Sequence, residues 1–298
     1  MRTKQDRLGK GELRPGYNLQ VSSSDQFIVH WSLHQTPNDS VTLPEHLHEF
    51  NHYVQQLPQH VVADAGYGSE QNYDWLQRHN ITAYVKYSEF DREQAAGPKW
   101  EKAQEFSPAR LHYNPKLDCY YCPMGQPMTK VGVETGVSDN GFEKQLHRYR
   151  AQNCRGCPLR GRCHKGRGNR EITVNHVLNA YKAQARELLT SPEGIAHRFK
   201  RGVDTEPVFG QLKYNWKFDR FTTFGKAKAD SEFGLLAIAH NLCKWINSPT
   251  KSPKKRWYTP KSTLDNLFKH AQLKLNQISY IIAQKLPFYS NSWSVGVK

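Results

Sequence analysis

No apolar run in this 298-residue sequence approaches the length needed to span a bilayer, since stretches such as Gly234–Ala239 end after a few residues. The basic start Met1–Arg7 has no apolar core behind it, which excludes a secretory signal. There is no internal repeat. Acidic residues are scarce, 27 Asp and Glu against 42 Lys and Arg, leaving a net charge of +15. A bias of that sign and size points to a polyanionic partner, and nucleic acid is the usual one. With 37% hydrophobic residues the chain can still bury a core, as one large domain or two ordinary ones. These features describe a soluble protein of the cytoplasm, associated with the nucleoid and without a membrane partner.

Cysteine is sparse but clustered. Six Cys without an export signal argue for thiolate metal ligands rather than a disulfide framework. Cys119 and Cys122 form one CxxC pair, Cys154 and Cys157 form another, and Cys163 follows six positions later. Zinc takes four ligands in a tetrahedron. Cys122, Cys154, Cys157 and Cys163 supply that set, with Cys119 as the alternative partner in the first pair and His164 as a poorer fourth ligand. A structural zinc would hold together a segment with too few apolar residues for a core of its own. The basic residues around it, among them Arg148, Arg150, Arg155, Arg160 and Arg162, suit a DNA-backbone contact. Cys243 stands apart in an apolar helical pattern and reads as a buried, inert thiol.

Alternating patterns predict strands at Tyr17–Ser22 and Gln26–Leu33, with Asp25 in the turn between them. A helix follows from Ser40 to Tyr53, with Asp39 among its caps. A buried strand, His60–Asp64, runs into the tight turn Ala65–Ser69, then a helix to Arg78 and a strand at Ile81–Tyr87. This alternation predicts α/β layers. From Ser88 to Arg170 the texture changes to Gly, Pro, charge and Cys, as in an insertion. Helical patterns return at Asn175–Thr190, Val203–Lys213 and Lys228–Trp245, and an amphipathic stretch covers Leu264–Leu286. The expected units are a catalytic core in residues 1–88 and 172–247, a Cys-rich zinc-binding insertion over 89–171, and a basic linker with a helical tail over 248–298.

Asp64, at the C-terminal end of a buried strand, stands where ligands collect in open α/β sheets, although an Asp there can equally cap the next turn. Glu206, Phe209, Gly210 and Lys213 share one side of a helix. Pro207 then requires Glu206 to lie near the helix start.

Val61–Ser69 and Glu206–Lys213, with Gly16–Gln20, Ala239–Leu242, Tyr121-Cys-Pro and Cys157-Pro, together resemble the transposases of bacterial insertion sequences that use an Asp-Asp-Glu metal triad. The resemblance spans about residues 10–246. It implies an RNase H-like mixed sheet flanked by helices, interrupted by an insertion ahead of the helix that bears Glu206. The implied activity is cleavage and joining of double-stranded DNA, at element ends and target, by a homodimer using Mg²⁺ or Mn²⁺. Two such ions, about 3.5–4 Å apart, serve the attacking and leaving oxygens of an in-line displacement. By this resemblance Asp64 is the second acid, Glu206 the third, and Lys213 a contact to the phosphate beside the cut. Arg201 is the basic residue ahead of the Glu, one position further away than in the commonest pattern.

The first acid of the triad belongs on a strand ahead of Tyr17, and no Asp stands there. Asp6 falls in a polar leader, Asp25 in a turn and Asp39 at a cap. The resemblance therefore implies an N-terminally shortened copy that is inactive alone, unless Asp39 substitutes. The alternative of another class is a non-catalytic, zinc-stabilised DNA-binding protein or inhibitor of transposition.

Overall fold

The structure is a computed structural model that describes residues 3–5, 13–95, 97, 102, 104–138, 141–247 and 294–297. The basic linker and the amphipathic stretch Leu264–Leu286 lie outside these residues. A small hairpin of β1 (Thr3–Gln5) and β2 (Leu13–Pro15) comes first. Next are β3 (Asn18–Ser24), β4 (Phe27–His34), α1 (Leu43–Val54), β5 (His60–Ala63), α2 (Glu70–Arg78), β6 (Thr82–Val85) and α3 (Phe90–Gln94). The strands are short and rich in Val, Thr and Tyr, as half-buried pleated surfaces favour.

A second group follows: β7 (Tyr113–Asn114), β8 (Cys119–Tyr121), β9 (Pro127–Val137), β10 (Glu143–Ala151) and β11 (Glu171–Val174). These pair in the order β11-β10-β9-β8-β7, all antiparallel. Contrary to the expectation of too few apolar residues, this sheet has its own core of Tyr120, Met128, Tyr149, Ile172 and Val174. Two large tyrosines and one inward residue per pleat are enough to fill it. Asp118 ties the core down, accepting from the Tyr149 hydroxyl at 2.6 Å and the Tyr113 hydroxyl at 2.9 Å. The Tyr149 bond, then Lys130, holds its carboxyl down to about 2.

The helices α4 (His176–Thr190), α5 (Pro192–Phe209) and α6 (Lys226–Asn247) come next, and β12 (Ser294–Val297) is the last described element. Asn175 and Ser191 cap α4 and α5 by accepting from Leu178 N and Gly194 N. The first sheet runs β4-β3-β12-β5-β6, with β12 antiparallel to β3 and parallel to β5. β12 lies beyond the helical stretch expected at Leu264–Leu286. The edges it fills are buried at Ser22, Ser23 and Val61, and buried backbone groups there require partners.

Helices cover both faces of this sheet. α1, α2 and α4 pack on one face around Leu43, Leu47, Val61, Leu76 and Leu189. α5 and α6 pack on the other around Val21, Val208, Leu212, Phe233 and Ala237. Cys243 is exposed on α6, not buried as the pattern suggested, because it lies away from the face that meets the sheet.

α5 begins at Pro192, well ahead of the expected Val203, so Pro207 lies inside the helix. A proline there leaves the carbonyl four residues back without its N–H. That carbonyl, on Val203, accepts instead from Gln26 Nε2 at 2.7 Å. A π-helical turn, Gly210–Asn215, then ends the segment.

Gly68 backs onto the end of β6. A methyl group there would meet the Lys86 carbonyl oxygen and lie 2.7 Å from Tyr87 Cα. Gly68→Ala is expected to lower stability by about 1–3 kcal/mol through overpacking, seen as a lower urea midpoint at unchanged slope. Gly66→Ala, whose nearest neighbour would be Asp39 Oδ2 at 3.5 Å, should cost clearly less.

Candidate active site

Asp64 leaves β5 directly after Ala63, and Val61, Val62 and Ala63 are all buried, so its backbone is held by the sheet. Its carboxylate does not cap the next turn. Oδ2 instead accepts from Arg201 Nη2 at 2.7 Å. The Arg201 side chain is only 8% exposed, and its Nη1 lies 3.5 Å from Glu206 Oε1. One buried guanidinium thus joins an acid from the sheet to an acid from α5, with both carboxylates half open to solvent.

Two neighbours of Glu206 set the rotation of α5. Asp204 accepts from Asp25 N at 3.1 Å and also from Gln26 N. Both residues are left-handed, with φ of 51° and 66°, so this acid secures a turn that non-glycine residues rarely form. Thr205 Oγ1 meets Ser23 Oγ at 3.1 Å. Lys213 lies further along, with its ammonium 5.1 Å from the centre of the Phe209 ring.

Sequence reasoning missed the shell beside Asp64. Asp39 does not act as a cap; Asn38 does, accepting from Ser40 N at 3.1 Å. The Asp39 carboxylate takes Asn18 Nδ2 at 2.6 Å and Gln20 Nε2 at 3.0 Å on the same oxygen. The Tyr67 hydroxyl donates to Gln20 Oε1. Burial drives the Tyr67 hydroxyl up beyond titration, Asp39 and Asp64 add to the shift, and Arg201 opposes it. The available signal was Asn18 and Gln20, two polar residues on one face of a strand.

Cys122, Cys154, Cys157 and Cys163 line a single cavity. Cys119 is buried in β8 and does not line it. His164 Nε2 bonds the Gly168 carbonyl at 2.9 Å. Arg170 Nη1 donates to Cys163 Sγ at 2.8 Å, and its backbone N–H to Cys154 Sγ at 3.3 Å.

Residues 121–246 match the family model of the transposase DDE domain. The matched DDE domain takes in Arg201, Glu206, Lys213 and the four-thiol cavity, while Asp64 precedes it. Transposase domains of this kind act on DNA and use divalent metal. No curated protein and no solved structure matches the chain. Among the described residues, no three His, Cys, Asp or Glu side chains are grouped closely enough to hold a metal ion, and no helix is long and apolar enough to cross a membrane.

The basic residues around the cysteines are largely paired within the protein. Arg148 pairs with Glu134 and Glu171, Arg150 with Glu171, and Arg162 with Glu105. Arg160 donates to the carbonyls of Cys154, Gly166 and Arg167. Much of the basic surface expected to face DNA is therefore engaged within the protein. Trp216 and Phe218 pack against the α5–α6 core. Glu232 fastens the Thr222–Thr223 loop by accepting from both backbone N–H groups.

Proposed function

We propose that the protein is an insertion-sequence transposase, built to cleave and join double-stranded DNA by two-metal phosphoryl transfer as a homodimer. The observation that carries this reading is the meeting of Asp64 and Glu206 on the Arg201 guanidinium. Two solvent-open carboxylates are hard oxygen donors of the kind Mg²⁺ or Mn²⁺ accepts. Asp64 and Glu206 would hold the metal, and Arg201 keeps the two carboxylates together. When bound, the ions supply positive charge to the attacking and leaving oxygens. Lys213 contacts the phosphate beside the cut. The strand order β4-β3-β12-β5-β6, with helices on both faces, supports an RNase H-like core drawn from residues 1–88 and 172–247, with β12 from beyond them as its central strand. The sheet β7–β11 is then the insertion of residues 89–171 together with the rest of β11 as far as Val174, with zinc on Cys122, Cys154, Cys157 and Cys163.

Two protein carboxylates leave the ions short of ligands, so the chain alone is expected to bind Mn²⁺ and DNA without cutting. Asp64→Asn and Glu206→Gln should each weaken Mn²⁺ binding, measured by electron paramagnetic resonance, by about tenfold or more (~1.4 kcal/mol). Undiminished binding in both variants overturns the reading and favours a non-catalytic, zinc-stabilised DNA-binding protein. Strand cleavage that disappears on Asp39→Ala would instead assign Asp39 as the first acid of the triad.

A further inference from the structure

α6 meets the sheet through Ala229, Phe233, Ala237 and His240, which are buried. Its opposite side is apolar too. Leu235, Ile238, Leu242, Trp245 and Ile246 are between 45% and 73% exposed. A single exposed apolar residue needs no explanation, but five on one side of a helix form a patch of the kind that marks an interaction surface. The spacing of three, four and three from Leu235 to Trp245 is that of a seam that meets another helix.

The sequence contains a counterpart. Leu264, Phe268, Ala271, Leu275, Ile278 and Ile282 alternate at four and three positions, the pattern of an amphipathic helix with one apolar seam. As a helix, residues 264–286 would be about 34 Å long, against about 16 Å for the α6 face. Such a segment is unstable alone in water and takes most of its stability from the surface its apolar side covers.

The path of the chain keeps the two together. The last turns of α6 sit at the β3–β4 turn, where His240 Nε2 bonds the Gln26 carbonyl at 2.8 Å and Lys244 Nζ donates to Gln26 Oε1 at 2.7 Å. β12 pairs Gly296 with Ser23 and Val297 with Ser22, antiparallel, so it enters the sheet from that same turn. The described chain therefore stops at residue 247 and resumes at residue 294 at the same end of the sheet. We propose that residues 264–286 form an amphipathic helix that docks on the Leu235–Ile246 face of α6 within the same chain. The inference is independent of the chemistry at Asp64 and Glu206.

Hydrogen exchange of the full chain read by mass spectrometry, with the mass in solution measured in parallel, tests this. In the monomer, amides of 264–286 should be protected. The double substitution Ile238→Asp with Leu242→Asp changes two exposed positions and should speed exchange across 264–286 by about tenfold or more, leaving β3–β6 unchanged. Leu275→Asp with Ile278→Asp should do the same from the other side. Unprotected 264–286 in the unaltered chain overturns the proposal, as does protection indifferent to the α6 substitutions. Protection that vanishes on dilution also overturns it, assigning the face to a second copy of the chain.

Discussion

If zinc draws the four thiols together as proposed, its removal is expected to unfold the β7–β11 sheet while the β3–β6 sheet stays folded. The four thiols that line the cavity come from distant points of the insertion: Cys122 follows β8, Cys154 and Cys157 follow β10, and Cys163 stands in the connection that returns to β11. Zinc would thus close the long β10–β11 connection onto the β8–β9 turn. Cys154 belongs to the core of this sheet, and Cys122 packs against it, so the metal would anchor the core as well as the loops. Arg170 donates from its guanidinium to Cys163 Sγ and from its backbone N–H to Cys154 Sγ, which fixes two of the four sulfurs at the cavity. Structural zinc sites in small domains contribute about 10–16 kcal/mol of apparent binding energy, as much as the whole buried core of one small sheet supplies. Metal analysis should find one zinc per chain. A chelator should abolish amide protection across residues 113–174. Cys157→Ser and Cys163→Ser should lose the metal, whereas Cys119→Ser should retain it. A zinc-free chain with this sheet fully protected would remove the metal from the account.

The residues that made the first sheet legible are those whose environment is local. β3, β4, α1, β5, α2 and β6 follow from alternation, caps and turn residues within a few positions of each element. The buried run Val61–Ala63 ahead of a Gly-bearing turn also marked Asp64. Its partner was not readable from spacing. Arg201 lies 137 positions away, and only the family resemblance, not any local pattern, brought Glu206 and Asp64 into one site.

The failures have one physical form, a tertiary contact overriding a local rule. Pro207 implied a helix start because its missing N–H normally costs a hydrogen bond, yet Gln26 supplies that bond from the β3–β4 turn. Asp39 looked like a cap until Asn18 and Gln20 took its carboxylate. β12 has no strong signal of its own. Four residues near the chain's end become a strand because two buried edges stand ready to pair with them.

Acidification from pH 7 to pH 4 is expected to cost the first sheet about 3 kcal/mol through His30 alone. Between β3, β4 and α1 lies a buried polar relay. His46 bonds Ser22 Oγ at 2.7 Å and Ser32 Oγ at 2.6 Å, Ser32 reaches His34 at 2.7 Å, and His34 Nδ1 stands 3.0 Å from Glu45. His30 packs against this chain, its ring centre 4.8 Å from that of His46 and 5.9 Å from that of Phe50. Burial pushes His30 down to about 4, with Asp230 pulling upward and His34 adding to the fall. His46 lies well below its usual value, through burial first and then His30 and His34. The unfolded chain takes up these protons near pH 6.5 while the folded chain refuses them, so stability declines as pH falls below 6.5. For His30 the loss is complete near pH 4, and His46 extends it. Glu49, 4.0 Å from His30, works the other way, because burial raises its carboxyl and the folded state takes up that proton first. His30→Phe separates the two. His30 Nε2 has no hydrogen-bond partner among the described residues, so a phenyl ring against Phe50 and Tyr53 loses little at pH 7. The variant should show a distinctly shallower fall in urea midpoint between pH 6.5 and 4.5. A slope identical to that of the unaltered chain would mean that His30 already carries its proton in the folded state, and that burial between β4 and α1 does not set its charge.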